Sequence, residues 1–153
     1  MQSETVTKTE HTYLLKPGSW KITGVYHDSA NNTSDLTGEA IVEQGNEQWV
    51  LSRVMELGDP AATRLKRVFR VVPMQNDSDH TTWWSDTPEV GTLMGRLMIV
   101  GNALMSSYQS ESRLFSGTEV FEKVNDSTYK AKGFALDGED KMASWEITLT
   151  KMK

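Results

Sequence analysis

Ten short runs in which apolar and polar residues alternate, separated by turn-forming residues, constrain this chain more than any other feature. The first run is the clearest. Trp20, Ile22, Gly24 and Tyr26 share one face, and Lys21, Thr23 and His27 the other. Successive side chains of a strand point to opposite faces, so a period of two over this length marks a half-buried strand. Further strand-like runs follow at 36–44, 47–57, 63–74, 79–85, 92–100, 103–110, 113–124, 127–136 and 141–151. The segment 28–35 is a loop by composition. The later breaks carry Gly45-Asn46, Gly58-Asp59-Pro60, Gln75-Asn76-Asp77, Pro88-Glu89, Gly101-Asn102, Asn125-Asp126 and Asp137-Gly138, all turn chemistry. Short connections make each strand pair with its sequence neighbours, and closing the meander removes both exposed edges. The expected fold is all-β: one antiparallel up-and-down barrel of about ten strands over residues 13–153. Residues 1–12, polar and aperiodic, are expected to form a flexible tail or a loose lid.

One stretch competes with this reading. Val90, Leu93, Met94, Leu97, Met98, Leu104, Met105 and Tyr108 also fit a helical stripe of period 3.6. Against the helix stand Gly91, Gly95 and Gly101, each costing about 1 kcal/mol relative to Ala in a helix interior. Gly101-Asn102 also lies midway between two apolar runs, where a hairpin puts its turn. Two strands are the favoured reading.

Composition narrows the function classes. A net charge of −5, with the cations scattered, speaks against nucleic acid, which needs a clustered basic face. The absence of cysteine removes disulfides, thiolate nucleophiles and Cys-ligated metals. No stretch approaches the roughly 18 apolar residues that span a bilayer. Residues 1–10 lack the basic and apolar regions of a signal peptide, so a cytoplasmic location is expected.

The opening Gly18-Ser19-Trp20, the ten-strand meander and the closing strand Ala143-Ser144-Trp145-Glu146-Ile147-Thr148-Leu149 together resemble the calycin superfamily. That group includes lipocalins, fatty-acid-binding proteins and avidins. The likeness spans roughly residues 14–151 and is to bacterial lipocalin-like domains of unassigned function. It implies a barrel with a binding cavity, and an indole at Trp20 that plugs the closed end. Lipocalins commonly pair that Trp with an Arg near the last strand, where this chain offers Lys141, Lys151 and Lys153. The segment 28–35 is too short and polar for the helical lid of the fatty-acid-binding proteins.

Polar residues on the inward faces carry the functional signal. Trp49, Leu51, Arg53, Met55 and Leu57 share a face, as do Leu65, Arg67, Phe69 and Val71, so each apolar row contains one arginine. An arginine inside a barrel is costly unless it meets an acidic partner or an anionic ligand. Glu119 alternates with Phe115, Gly117 and Phe121, and Tyr108 with Leu104 and Ser106, so both are candidates for the lumen. Arg53, Arg67, Tyr108 and Glu119 would then form a polar centre in an apolar cup, the usual form of a small-molecule site. A register change of one residue would turn any of them to solvent. Of Trp83 and Trp84, adjacent in one strand, one faces in and one out; an outward indole beside a loop suggests a ligand contact at the barrel mouth or a partner contact, and the inward one is most simply core. No His-x-His or Glu-x-x-His spacing is present to hold a metal. Some ten-stranded barrels of the superfamily bind haem through one histidine, but His27 alternates outward and His80 follows a polar turn, which disfavours both as ligands.

The expected function is binding of a small, largely apolar ligand, with an anionic head as the option the arginines raise. Two alternatives stand beside it. One is a small barrel enzyme of isomerase or decarboxylase type, using Tyr108 and Glu119 with an interior arginine. The other is a filled barrel with a structural or interaction role. If Trp20 closes one end, the cavity opens at the end bearing the 28–35 loop, with Trp83 or Trp84 near its rim.

Overall fold

The computed structural model describes residues 8–58 and 61–152. Ten strands follow in order: β1 (Gly18–Asp28), β2 (Thr33–Gln44), β3 (Trp49–Leu57), β4 (Thr63–Val71), β5 (His80–Thr87), β6 (Gly91–Val100), β7 (Ala103–Ser110), β8 (Phe115–Asn125), β9 (Thr128–Asp137) and β10 (Asp140–Lys151). Each pairs antiparallel with its sequence neighbours, and β1 pairs with β10, so the meander closes into a barrel. The helical alternative over 90–108 resolves as β6 and β7, with Gly101 in the left-handed region (φ 60°) at their turn. The first loop contracts to 29–32, because β2 begins at Thr33. Of the expected Gly58-Asp59-Pro60 turn, Asp59 and Pro60 lie outside the described residues.

The barrel wall is uneven. Between β4 and β5 the ladder contains two register pairs, Arg70 with Trp84 and Val71 with Trp83, extended by a bond from Val72 N–H to Thr82 C=O. Towards Thr63 and Thr87 the two strands part, and side chains cover the exposed backbone. Ser85 Oγ donates to the Val68 carbonyl at 2.6 Å, and Arg67 Nη1 to the Lys66 carbonyl at 3.2 Å. Backbone groups left by a broken ladder need such partners.

The N-terminal segment corrects the expectation of a loose tail, as far as it is described; residues 1–7 lie outside the described set. After a short 3₁₀ turn at Lys8–Glu10, the chain runs across the end of the barrel where Trp20 sits, and His11, Thr12, Tyr13 and Leu14 are all buried. Leu15 N–H bonds back to the Tyr13 carbonyl around a left-handed Leu14 (φ 67°), the pattern of a γ-turn. That strained turn turns both Tyr13 and Leu14 inward. The segment is tied to the turns at this end: Thr12 Oγ1 donates to the Asp126 carbonyl at 2.8 Å, and Gln44 Nε2 to the Leu14 carbonyl at 2.9 Å. Trp20, fully buried as the sequence implies, meets Tyr13 and Tyr129 edge to face with ring centroids 5.4 and 5.7 Å apart. These rings pack over the indole, and Lys151 is its register partner on β10. Sequence periodicity carried no sign of this, because the strap is irregular backbone held by tertiary contacts.

His11 is the central tie of the strap. Its Nε2 lies 3.0 Å from the Gly101 carbonyl, which only an N–H can meet, so Nδ1 is the acceptor for the Tyr129 hydroxyl at 2.6 Å. A neutral ring satisfies both partners. Burial is the main cause that lowers the His11 pKa below 6.5, with the nearby Lys123 cation acting in the same direction. A lowered folded-state pKa means that the unfolded chain takes up the proton first. Stability should therefore fall as pH drops from 6.5 towards the folded-state pKa, before carboxylates begin to titrate. Thermal midpoints measured by circular dichroism between pH 8 and pH 5 should show this decline, and His11→Gln should flatten it. A decline identical in the variant would contradict the assignment.

Candidate functional site

The lumen stays open because of three inward glycines. Gly95, Gly117 and Gly133 lie directly opposite Trp83, Tyr108 and Trp145 on the neighbouring strands. A Cβ at these glycines would come within 2.1, 2.4 and 2.6 Å of the respective ring atoms. Each ring thus lies over its partner's bare backbone and along the wall, instead of across the barrel. What remains is a cavity of about 200 Å³. Tyr26, Leu65, Val90, Phe115 and Met142 line it towards the end bearing the 29–32 loop, and Tyr13 and Leu14 towards the strap. The mouth is at the expected end, and Trp20 and the strap close the other.

A polar cluster occupies the middle of this otherwise apolar cavity. Arg53 on β3 crosses the lumen to Glu119 on β8, its Nη1 lying 3.0 and 3.2 Å from the two carboxylate oxygens. Both side chains are shielded, at 6% and 14% exposure, so the pair sits where unpaired charge is most expensive. Trp145 Nε1 donates to Glu119 Oε2 at 2.7 Å, and the Arg53 guanidinium stands 5.5 Å from the centre of the Phe69 ring. Trp83 Nε1 donates to Ser106 Oγ at 2.9 Å. The Tyr13 hydroxyl and Arg53 Nε are buried with no hydrogen-bond partner among the described residues. Burial pushes the Tyr13 hydroxyl well above its ordinary pKa, and it raises Tyr108 as well, with the Glu119 charge adding to the effect on Tyr108. Both phenols are hydrogen-bond donors at neutral pH.

The structure brings Arg53, Arg67, Tyr108, Glu119 and Trp83 into one cavity lining, the juxtaposition read from their inward alternation. They are not equivalent. Arg53 is matched by Glu119 inside the barrel, whereas Arg67 is a quarter exposed and its ion-pair partner among the described residues is the solvent-exposed Glu89, at 3.4 Å. An exposed pair of that kind is worth about 0–1 kcal/mol and exchanges readily. Trp84 is a correction. It faces outward, 39% exposed beneath the Arg70 guanidinium, because Trp83 takes the inward position of β5. The expected rim position for one of the two indoles is also corrected: Trp83 is mid-strand, opposite Gly95, and Val90 and Phe115 stand nearer the mouth. His27 bonds to Thr33 Oγ1 at 3.0 Å and His80 pairs with Asp79 at 2.9 Å, and neither lines the cavity. No cluster of three potential metal-ligating residues occurs among the described residues. No helix among them is long and apolar enough to cross a membrane.

Two site residues escaped the sequence reading. Trp145 had a usable signal, since it alternates with Ala143 and Ile147, both buried on the inward face of β10. Tyr13 had none, because the γ-turn that aims it belongs to no period.

Removing Arg53 alone would leave a buried carboxylate without its cation. We expect Arg53→Ala to lower the unfolding free energy by about 3–5 kcal/mol in urea denaturation. The double variant Arg53→Met with Glu119→Gln removes both charges and should cost far less. Equal losses in the two variants would mean that packing, and not charge pairing, is what Arg53 supplies.

Compared with known proteins, the sequence matches no protein-family model and no curated protein. Solved structures do match the fold. One is the S-type phycobiliprotein lyase CPES from Guillardia theta, with a TM-score of 0.67 and 8% sequence identity, covering 90% of this chain and 88% of that one. At that identity the likeness is one of architecture.

Proposed function

We propose that this protein is a lipocalin-like barrel that binds a small, largely apolar molecule in its lumen, admitted at the end bearing the β1–β2, β3–β4 and β5–β6 connections. The observation that carries the reading is the open lumen itself. Inward glycines opposite aromatic rings keep about 200 Å³ clear in a barrel wide enough to have been filled by side chains. A concave, mainly apolar cavity with a few convergent polar groups is the common form of a small-molecule site. The cavity speaks against the filled-barrel alternative. An anionic head, where the ligand has one, would meet Arg67 at the mouth, whose counter-charge Glu89 is exposed and exchangeable, and not Arg53, already neutralised by Glu119.

The enzyme alternative draws less support. Tyr108 and Glu119 do project from neighbouring strands into one cavity. Glu119, however, is engaged by Arg53 and Trp145, as a fixed counter-ion would be, and a general base needs a lone pair free for the substrate. The fold likeness to a phycobiliprotein lyase supports the barrel and leaves the ligand to the cavity chemistry.

Titration with fatty acids, retinoids and aromatic acids should quench tryptophan fluorescence saturably with one of these classes, because Trp83 and Trp145 line the cavity. Ala135 also lines it, and Ala135→Trp should fill the space and weaken binding at least about tenfold, the effect of roughly 1.4 kcal/mol. Circular dichroism would confirm that the variant keeps its strands. The reading fails if no compound binds, or if the filled variant binds like the parent.

A further inference from the structure

The charges that line the lumen do not balance. Two arginines, Arg53 and Arg67, face it with one carboxylate, Glu119, which Arg53 holds at 3.0 and 3.2 Å. Arg67 is neutralised only from outside the cavity lining, by Glu89 of the β5–β6 connection, itself 63% exposed. The contact is a single one at 3.4 Å, longer than the roughly 2.7–2.9 Å of a well-formed charge-assisted hydrogen bond. Tyr26 and Tyr108 line the same cavity, and the Arg67 charge acts on both phenols. The lining is also shaped by ring faces. Tyr108 lies over Gly117 and Trp145 over Gly133, and the Trp145 ring is within 8° of parallel to that of Tyr26. The Arg53–Glu119 pair bridges the lumen from β3 to β8, with Leu51, Phe69 and Phe121 packed on its strap side. That bridge limits the depth open to a ligand. At about 200 Å³ the space is small beside the roughly 300–1,000 Å³ of sites for drug-sized molecules.

We propose that the cavity selects a compact aromatic carboxylate, whose anion takes the place of Glu89 on Arg67 and whose ring system lies against the aromatic faces on the mouth side of the Arg53–Glu119 bridge. The proposal rests on the ligand-binding reading above and adds the ligand's class, its orientation with the anion at the mouth, and a resident competitor for its site. Charge selects the anion. A carboxylate cancels the unmatched guanidinium, a cation would add to it, and a neutral molecule gains no ion pair. The planar guanidinium fork offers a carboxylate two parallel bonds, where Glu89 now makes one long contact. Displacing Glu89 costs little, because an exposed carboxylate returns to water when it leaves. Shape selects the ring. Aromatic faces favour a second aromatic ring in offset or edge-on contact beyond the area buried. A long alkyl tail would have to pass the bridge, and parting Arg53 from Glu119 would leave two shielded charges without partners.

The test uses the full chain and three compounds with the same number of non-hydrogen atoms: 2-naphthoate, 2-naphthamide and undecanoate. Each is titrated by isothermal calorimetry at neutral pH and low ionic strength. 2-Naphthoate should bind at least about tenfold more tightly than 2-naphthamide, the order expected for hydrogen bonds to a charged group. It should bind at least about threefold more tightly than undecanoate, the order expected for ring contacts. Arg67→Met should remove the preference for the acid over the amide, with circular dichroism confirming that the strands remain. Glu89→Gln, at an exposed position, should tighten 2-naphthoate about twofold to fivefold by removing its competitor and leave that ratio unchanged for neither compound but the acid. Equal binding of acid and amide overturns the proposal, as does undecanoate binding as tightly as 2-naphthoate. An acid preference that survives Arg67→Met, or an acid affinity unmoved by Glu89→Gln, overturns it too. If these three compounds fail while a fatty acid or retinoid of the wider panel binds, the proposal falls and the binding reading stands. If nothing in either set binds, both fall.

Discussion

Closure of the sheet is the constraint on which this molecule depends. An open ten-stranded meander would leave two strand edges with unpaired backbone groups, and pairing β1 with β10 removes both. Closure also sets the side-chain problem, since every second residue of every strand then points into one shared lumen. The molecule meets that problem unevenly. At the strap end aromatic rings fill the space, with Tyr13 packed among Trp20, Phe121 and Tyr129. Towards the other end glycine replaces a side chain on three strands, and the space stays open. The same barrel is therefore a packed core below and a cup above.

The wall is thinnest where the cup has its most accessible charge. β4 and β5 share few paired positions, and the gap between them is bridged by the Ser85–Val68 hydrogen bond and by the Arg67–Glu89 pair. Arg67 thus serves the wall as well as the cavity, capping a backbone carbonyl while its charge remains loosely matched. Arg53 is the opposite case. Its partner comes from the far side of the barrel, and Glu119 is held by Trp145 as well. The same residue type on adjacent strands, at directly paired positions, acquires two different roles through the distance of its counter-charge from solvent.

Much of the site was legible from the residues. Alternation put Arg53, Arg67, Tyr108 and Glu119 on inward faces, and the register placed all four there. The reason is physical: once one apolar row per strand must face the core, a slip of one residue would expose the whole row, so parity is strongly determined. The Trp83-Trp84 pair shows where parity stops. It requires one indole in and one out, but which is which depends on whether Val71 or Arg70 of β4 faces the core beside it. Tyr13 and His11 lay beyond any such rule, since the strap has no period and its burial comes from contacts with turns far along the chain.

The sequence by itself determined the strand count, the turns between strands and the inward set, because period-two alternation and turn chemistry are local and each strand reports its own faces. Only the tertiary structure decided that Arg53 meets Glu119 across the lumen while Arg67 meets Glu89 at its edge. It alone decided that the strap closes the floor, and that glycines opposite aromatic rings leave a cavity. These depend on how far one wall stands from another. That distance is set by the curvature and closure of the whole sheet, which no single strand encodes.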